Sequence, residues 1–195
     1  MIIVGILGDI GSGKSFISKQ FGCPVFNADR EVKKIYQNDT NCFKKLKKKL
    51  PKYITKYPLD KIELVKAILA NDSNLKKIIE IVHPIIRKKM KNFCQKYKKE
   101  NMIILDIPLL IENNLNKKNH VLIFIDSKKS DISYRLRKRL NYNKKLISKF
   151  RKLQKSLLFK KKISKYVIKN DFKLLTIKKR IKFIKKIIEN ERNNT

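Results

Sequence analysis

The feature that most constrains this chain is a short apolar run that leads directly into a glycine-rich segment. Residues 2–7 read Ile-Ile-Val-Gly-Ile-Leu, and residues 8–15 read Gly-Asp-Ile-Gly-Ser-Gly-Lys-Ser. A strand followed by the pattern G-x-x-x-x-G-K-[ST] is typical of a P-loop, which binds nucleotide phosphates. The alternative is a glycine-rich turn that happens to precede Lys-Ser. The agreement of strand, glycines, lysine and serine in one register argues against that alternative.

The residue types of this segment indicate how it would bind an anion. We predict that its glycines let the backbone turn tightly, so that successive N–H groups point inward and form a cradle. A helix that begins near Gly13 adds its positive end to the same place. Lys14 brings a full charge to the β- and γ-phosphates, and the Ser15 hydroxyl is a ligand for Mg²⁺. The residues predicted to bind ATP are Gly8, Gly11, Ser12, Gly13, Lys14, Ser15 and Phe16.

The net charge of +34 points to anionic partners, but it does not require nucleic acid. Only eight of the 50 basic residues are arginines, and the lysines are spread over nearly every predicted helix. Lysine, isoleucine and asparagine, which A/T-rich codons encode, are all abundant. Lysines that have accumulated on solvated faces therefore explain the charge better than selection for nucleic-acid binding. The sequence leaves open whether the lysine excess has a use.

Cysteine spacing and hydropathy favour a cytoplasmic protein. Cys23, Cys42 and Cys94 form no C-x-x-C pair, so we expect reduced thiols and neither a disulfide framework nor a zinc site. The apolar run at the N-terminus is too short for a signal peptide and has no basic segment before it. No stretch approaches the roughly 20 apolar residues of a membrane span, so we expect no membrane partner.

The alternation of short apolar strands with amphipathic helices predicts an α/β fold of the P-loop NTPase type. We expect a doubly wound, five-stranded parallel sheet that binds ligands at the carboxyl ends of its strands. Residues 40–58, which are lysine-rich and contain two prolines, are interpreted as a partly exposed insert. Helix starts are expected at Asp60, Asp72 and Pro84. Further helices are expected over residues 130–140, 146–159 and 174–188.

Several segments, in the same order along the chain, carry a resemblance to a known family. Residues 25–29 read Val-Phe-Asn-Ala-Asp, residues 82–87 read Val-His-Pro-Ile-Ile-Arg, and residues 106–113 read Asp-Ile-Pro-Leu-Leu-Ile-Glu-Asn. Together with the P-loop, these segments resemble dephospho-coenzyme A kinases from Ile2 to about Asn170. The resemblance implies that ATP and dephospho-CoA are the partners. The γ-phosphoryl of ATP would pass to the ribose 3′-hydroxyl of dephospho-CoA, the last step of coenzyme A biosynthesis.

The resemblance also implies a division of the single chain into three parts. A nucleotide core would comprise residues of about 1–38, 101–128 and 164–195. A helical insertion for the CoA side would span about 39–100, and lid helices would span about 129–163. The sequence is silent on oligomeric state, and we expect a monomer or a small homo-oligomer.

Four side chains besides Lys14 are predicted to take part in catalysis or metal binding. Asp29, at the end of the second strand, is the candidate base for the acceptor hydroxyl, although a plain helix N-cap also fits. Asp106 ends a buried strand, as a Mg²⁺ or water ligand would, or it caps the following turn. Arg135 and Arg139 are four residues apart, so we expect them to share a helix face that closes over the triphosphate. A solvated basic helix is the alternative.

The remaining site residues are assigned to dephospho-CoA by the resemblance alone. His83 precedes a proline at an expected helix start, where a structural histidine also fits, and Arg87 follows one turn later. The residues implied to bind this substrate are His83, Arg87, Pro108, Leu109, Glu112 and Asn113.

The chain departs from the family pattern at five positions. Leu7 replaces a usual threonine, Asp9 a usual glycine, Phe16 a common threonine, Asn27 a common aspartate, and Leu157 a frequent lid arginine. Asp9 adds negative charge beside an anion site, so we expect its side chain to turn outward or to weaken ATP binding slightly. These departures bear on efficiency and lid contacts, not on the class of reaction.

Two other functions compete with this interpretation. A nucleoside monophosphate kinase would share the phosphate cradle and the lid. A basic nucleic-acid-binding protein with a vestigial P-loop would explain the charge, but the few arginines and the lack of a basic–aromatic cluster argue against it.

Overall fold

The computed structural model describes residues 1–140 and 142–193 of the chain. Contacts divide these residues into two compact units. The first unit contains residues 1–27, 97–140, 142–143 and 150–193, and the second contains residues 28–96 and 144–149. The division into core, insertion and lid stays a prediction.

The first unit contains a five-stranded sheet in which every neighbouring pair is parallel. Its strands are β1 (Ile2–Gly8), β2 (Val25–Asn27), β3 (Met102–Asp106), β4 (Val121–Ser127) and β5 (Tyr166–Asn170). They are arranged in the order β2-β3-β1-β4-β5, with β1 in the centre. The strand order reverses on the two sides of β1, and such a switch point places a binding crevice at the carboxyl ends of the strands. The predicted fold class is confirmed.

The helices connect the strands or form the second unit. They are α1 (Lys14–Gln20), α2 (Ala28–Asn38), α3 (Thr40–Lys49), α4 (Lys61–Ala70), α5 (Asp72–Lys96), α6 (Lys129–Arg137), α7 (Lys144–Lys152), α8 (Leu157–Lys162) and α9 (Leu174–Asn193). Within the described part of the chain, no helix is both long enough and apolar enough to span a bilayer.

The core of the first unit forms where α1 and α9 pack against the sheet. One face of α9 presents buried isoleucines at helical spacing: Ile177, Ile181, Ile184 and Ile188. Ile17 and Phe21 of α1 belong to the same cluster, as do Val4 and Ile6 of β1. Burial of each large apolar side chain is worth about 1.5–3 kcal/mol. This packing fixes the positions of β1 and of the start of α1, and therefore both ends of the loop between them.

Residues 40–58, interpreted as a partly exposed insert, are mostly exposed, but they also contain a helix and four buried side chains. Within this stretch α3 begins after Asp39, whose side chain accepts a hydrogen bond from Cys42 N at 2.8 Å. Cys42, Leu46, Leu50 and Ile54 are all buried. Cys42 and Leu46 lie four residues apart on one face of α3, whereas Leu50 and Ile54 follow the end of the helix.

The expected helix start at Pro84 is wrong, whereas the starts after Asp60 and at Asp72 are confirmed. Helix α5 continues through Pro84 without a break in its bounds. A proline inside a helix costs about 3 kcal/mol. The buried stripe of Leu75, Ile78, Val82 and Ile86 outweighs that cost because each burial contributes about 1.5–3 kcal/mol.

The predicted single helix over residues 146–159 is two helices. Helix α7 ends at Lys152, and α8 starts after Ser156, whose hydroxyl accepts a hydrogen bond from Phe159 N at 3.2 Å. A serine N-cap of this kind satisfies an amide that otherwise has no partner in the first turn.

Candidate active site

The loop between β1 and α1 adopts a backbone that only glycine accommodates at two positions. Gly11 and Gly13 have φ values of 87° and 90°. A Cβ on Gly13 would lie 2.5 Å from Asn170 Nδ2, and a Cβ on Gly11 would lie 2.9 Å from the Leu136 side chain. Ser12 N donates to Asp9 O at 3.2 Å within the turn. The glycines of the motif are therefore required both for the turn and for the close approach of its neighbours.

Two side chains from the ends of neighbouring strands hold this loop. Asn170 Nδ2, at the end of β5, donates to Ser12 O at 2.7 Å, and Ser127 Oγ, at the end of β4, donates to the same oxygen at 2.9 Å. Asn170 Oδ1 also accepts from Phe172 N at 2.9 Å. Asn170 is buried. The sequence analysis assigned neither side chain to the site, and the available signal was a polar residue at the end of each apolar strand.

We expect Asn170→Ala to destabilise the protein by about 1–3 kcal/mol, because it leaves the partly buried Phe172 amide and the Ser12 carbonyl with fewer partners. Loosening of the loop should also weaken the binding of Mg·ATP. Urea unfolding and equilibrium nucleotide binding measure the two effects. Asn71→Ala is the control for ATP binding: it removes a helix cap that accepts from Ser73 N in the second unit, which should cost about 0.5–2 kcal/mol of stability and leave ATP affinity unchanged. Unchanged stability and ATP affinity in Asn170→Ala would contradict this assignment.

The Lys14 side chain folds back over the loop that precedes α1. Its Nζ donates to Asp9 O at 2.7 Å and to Gly8 O at 3.1 Å, and the residue is buried. The ammonium group is thus held among the carbonyl oxygens at the start of the loop. Ser15 and Phe16 are exposed in the first turn of α1.

The Ser15 hydroxyl and the Asp106 carboxylate are joined through one amide. Asn27 Nδ2 donates to Ser15 Oγ at 3.3 Å and also to Asp106 Oδ2. The parallel register of β2 and β3 places Asn27 beside Asp106 at the carboxyl ends of both strands. The sequence analysis noted Asn27 only as a departure from the family pattern, so its bridging position is a finding of the structure.

These oxygens fit magnesium. Mg²⁺ prefers hard oxygen ligands and is usually held by one or two protein groups together with water and nucleotide phosphates. Ser15 Oγ and Asp106 supply such groups, and half a turn of the Asn27 amide would present its oxygen as well. Among residues 1–140 and 142–193, no three His, Cys, Asp or Glu side chains gather in a way that could hold a metal alone.

The two arginines that were predicted for the lid differ in their contacts. The Arg135 guanidinium lies 4.3 Å from the centre of the Phe172 ring, a cation–π contact just beyond Asn170. Helix α6 ends at Arg137, so Arg139 lies outside it and its backbone N donates to Leu136 O at 3.1 Å. The expectation that both arginines share one helix face is therefore wrong. Their predicted contact with the triphosphate stays a prediction.

The segment after β3 is tied to the segment around α8. Glu112 Oε1 accepts from Lys160 Nζ and from Lys155 N, both at 2.9 Å. The Lys160 side chain is 1% exposed, so this is a buried ion pair. Gln154 Nε2 donates to Pro108 O at 3.4 Å. Loss of one partner of a buried pair is costly, because it leaves an uncompensated charge. Glu112 thus has a structural partner, which the sequence analysis missed.

Leu109 and Asn113 belong to the same turn, in which Asn113 Nδ2 donates to Leu109 O at 2.9 Å. The predicted substrate contacts of Pro108, Leu109, Glu112 and Asn113 stay predictions.

The other predicted site residues lie in the second unit. His83 lies inside α5 and not at a helix start, and Arg87 follows one turn later. Burial lowers the pKa of His83, and the positive charge of Arg87 lowers it further, so the imidazole is neutral at pH 7. Asp29 is exposed in the first turn of α2, where a carboxylate interacts favourably with the positive end of the helix.

Known proteins resemble the chain over most of its length. The model of the dephospho-CoA kinase family matches residues 2–176. Dephospho-CoA kinases of Wolbachia pipientis wMel and of the Wolbachia of Brugia malayi are 30% and 32% identical over 172 residues, which is 86% of this chain and 88% of each relative.

Solved structures show the same fold. TT1252 from Thermus thermophilus has a TM-score of 0.74 and 23% identity, with 97% of both chains covered. Dephospho-CoA kinase from Campylobacter jejuni has a TM-score of 0.62 and 21% identity, with 95% of this chain and 96% of that chain covered.

A parallel sheet of this order, with a glycine-rich phosphate-loop motif at the end of its central strand, is the P-loop NTPase type of fold, which the two solved structures share. Since the family match extends over residues 2–176, the chain belongs to the dephospho-CoA kinase family. Its activity is the ATP-dependent phosphorylation of dephospho-CoA in coenzyme A biosynthesis.

Proposed function

We propose that the chain transfers the γ-phosphoryl group of ATP to the ribose 3′-hydroxyl of dephospho-CoA, using the residues that the sequence analysis selected. The observation that carries this proposal is the loop of residues 8–15, in which glycines with left-handed backbone and the folded-back Lys14 build a site for a polyphosphate. Phosphoryl transfer requires mainly positioning and charge neutralisation, and such a loop provides both.

On the donor side, backbone N–H groups of the loop bind the phosphates, and Lys14 neutralises charge on the transferring group. Ser15 and Asp106 hold Mg²⁺, with Asn27 positioned between them. The metal, when bound, supplies charge compensation for the β- and γ-oxygens. Arg135, anchored on Phe172, and Arg139 approach the triphosphate from the lid.

On the acceptor side, Asp29 orients the 3′-hydroxyl and takes its proton. A carboxylate at this position follows Asn27 by two residues, directly after β2 ends. A positioned base contributes about 10²–10⁴-fold in rate. Arg87 bears a charge suited to the substrate phosphates, whereas the neutral His83 offers a hydrogen bond instead of a charge. Pro108, Leu109, Glu112 and Asn113 are assigned to the same substrate in this proposal, by the family resemblance.

The test is formation of coenzyme A from ATP and dephospho-CoA in the presence of magnesium, followed by mass spectrometry. Release of the new phosphate by a 3′-nucleotidase identifies the acceptor hydroxyl. Parallel reactions with AMP, CMP and dTMP test the competing kinase. Turnover of a monophosphate without turnover of dephospho-CoA would overturn the proposal, as would base-specific nucleic-acid binding at physiological salt without kinase activity. Removal of magnesium with EDTA should stop the reaction.

The proposal extends to the state of the protein. We infer a cytoplasmic enzyme that is a monomer or a small homo-oligomer, since one chain carries both the phosphate loop and the oxygen atoms proposed to bind the metal. Sedimentation of the purified protein at several concentrations measures the oligomeric state.

A further inference from the structure

Asp9, the second residue of the loop, binds to the loop itself. Its Oδ1 accepts a hydrogen bond from Ile10 N at 2.6 Å. Arg151 donates to both carboxylate oxygens, from Nε to Oδ1 at 3.2 Å and from Nη2 to Oδ2 at 2.9 Å. The Asp9 side chain is 14% exposed, whereas that of Arg151 is 46% exposed. The expected outward turn of Asp9 is therefore not what the structure shows.

The contacts of this carboxylate are those that a phosphate oxygen would make in the same loop. A loop amide donates to it, and a guanidinium binds it in a two-pronged arrangement that suits carboxylates and phosphates equally. Lys14 Nζ, which donates to Asp9 O at 2.7 Å, brings a second positive charge to the same turn. The Asp9 carboxylate is thus a fixed negative charge beside the phosphate-binding loop, and Arg151 is bound to this carboxylate.

We propose that Arg151 is a nucleotide-binding residue, which exchanges the Asp9 carboxylate for the polyphosphate of ATP, and that Asp9 competes with ATP for it. This inference rests on the proposed binding of ATP by the loop. An ion pair that is half in water stabilises a protein little, so Arg151 leaves Asp9 at small cost. A triphosphate carries more negative charge than one carboxylate and therefore attracts the guanidinium more strongly.

The test is a double-mutant cycle in which the dissociation constant of Mg·ATP is measured by calorimetry without dephospho-CoA. Ionic strength is held constant, because the chain is strongly charged. We expect Arg151→Ala to weaken binding about 10-fold, and Asp9→Asn to strengthen it about threefold. In the Asp9→Asn background, Arg151→Ala should weaken binding about 30-fold, because the arginine contacts phosphate directly and the carboxylate no longer competes for it. Binding of adenosine should not change.

The cycle distinguishes direct binding of phosphate by Arg151 from a role in which Arg151 only neutralises the charge of Asp9. If Arg151→Ala has no effect once Asp9 is asparagine, the arginine serves only to balance the carboxylate, and the proposal is overturned. Circular dichroism checks that every variant is folded.

Lys165→Ala is the matched control for loss of one positive charge. Lys165 pairs with Glu191 at 2.6 Å, and its N donates to Leu122 O at the amino-terminal edge of the sheet, opposite the loop. We expect no change in the dissociation constant for this variant. An equal weakening would assign the effect to long-range charge and would overturn the proposal.

Failure of this inference is distinguishable from failure of the proposed function. If coenzyme A forms but the substitutions do not change the dissociation constant of Mg·ATP, the role of Arg151 is rejected and the proposed function stands. A cycle with the expected pattern, without coenzyme A formation, supports Arg151 as a phosphate ligand and rejects the proposed transfer.

Discussion

Lys14→Ala should lower kcat by at least about 10²–10³-fold, because it removes a positive charge from the transferring phosphoryl group at the moment when that group needs it. The Lys14 ammonium donates to Gly8 O and Asp9 O, and the residue is buried within the loop. Steady-state kinetics with saturating dephospho-CoA measure the effect. The KM for ATP should rise as well, since the same charge binds the donor.

Lys19→Ala is the matched control for this substitution. Lys19 is exposed in the last turn of the same helix, α1, so its replacement removes one charge at a distance from the loop. We expect its kcat to be close to that of the wild type. A near-normal kcat in Lys14→Ala would contradict the assignment of the cradle, and an equal loss in both variants would point to general charge instead of a placed ammonium.

Asp29→Asn should lower kcat by at least about 10²-fold while the affinity for ATP is retained. The amide keeps the size of the side chain but does not accept a proton from the acceptor hydroxyl. Because Asp29 acts on the acceptor in this proposal, equilibrium binding of Mg·ATP should be unchanged. Single-turnover kinetics separate the chemical step from product release.

Glu31→Gln is the corresponding control. Glu31 is the other acidic residue in the first turn of α2, and it pairs with Lys34 at 2.7 Å and with Lys89 at 3.4 Å. The loss of these partly exposed pairs should cost little stability and leave kcat near its normal value. The role of Asp29 as base is wrong if ATP affinity collapses in Asp29→Asn while kcat survives.

The fold and the phosphate loop could be predicted because their signals are local. Residues 4–7 of the apolar run are buried, and such central strands read as continuous apolar segments. Gly11 and Gly13 precede a helix at a fixed spacing, so their conformation follows from a few neighbouring residues. Short-range periodicity likewise predicted α9, although it extends to Asn193.

The errors arose where a distant partner outweighed a local rule. Pro84 is a strong local signal for a helix start, but packing along the whole of α5 carries the helix through it. For Asp9, the charge alone led us to expect either an outward turn of the side chain or slightly weaker ATP binding, and the structure shows no outward turn. Arg151, which lies 142 residues away in sequence, compensates that charge and allows the carboxylate to stay.

The sequence alone determined the class of chemistry, because the phosphate-binding loop is a continuous segment whose glycines, lysine and serine carry their function in their spacing. Tertiary structure alone decided which distant groups complete the site: Asn170 and Ser127 on the Ser12 carbonyl, Asn27 between Ser15 and Asp106, and Arg151 on Asp9. These contacts join separate strands and helices. Hydrogen bonds of this kind depend on distances of a few ångströms between chain segments, which packing of the sheet and its helices sets and which no local pattern encodes.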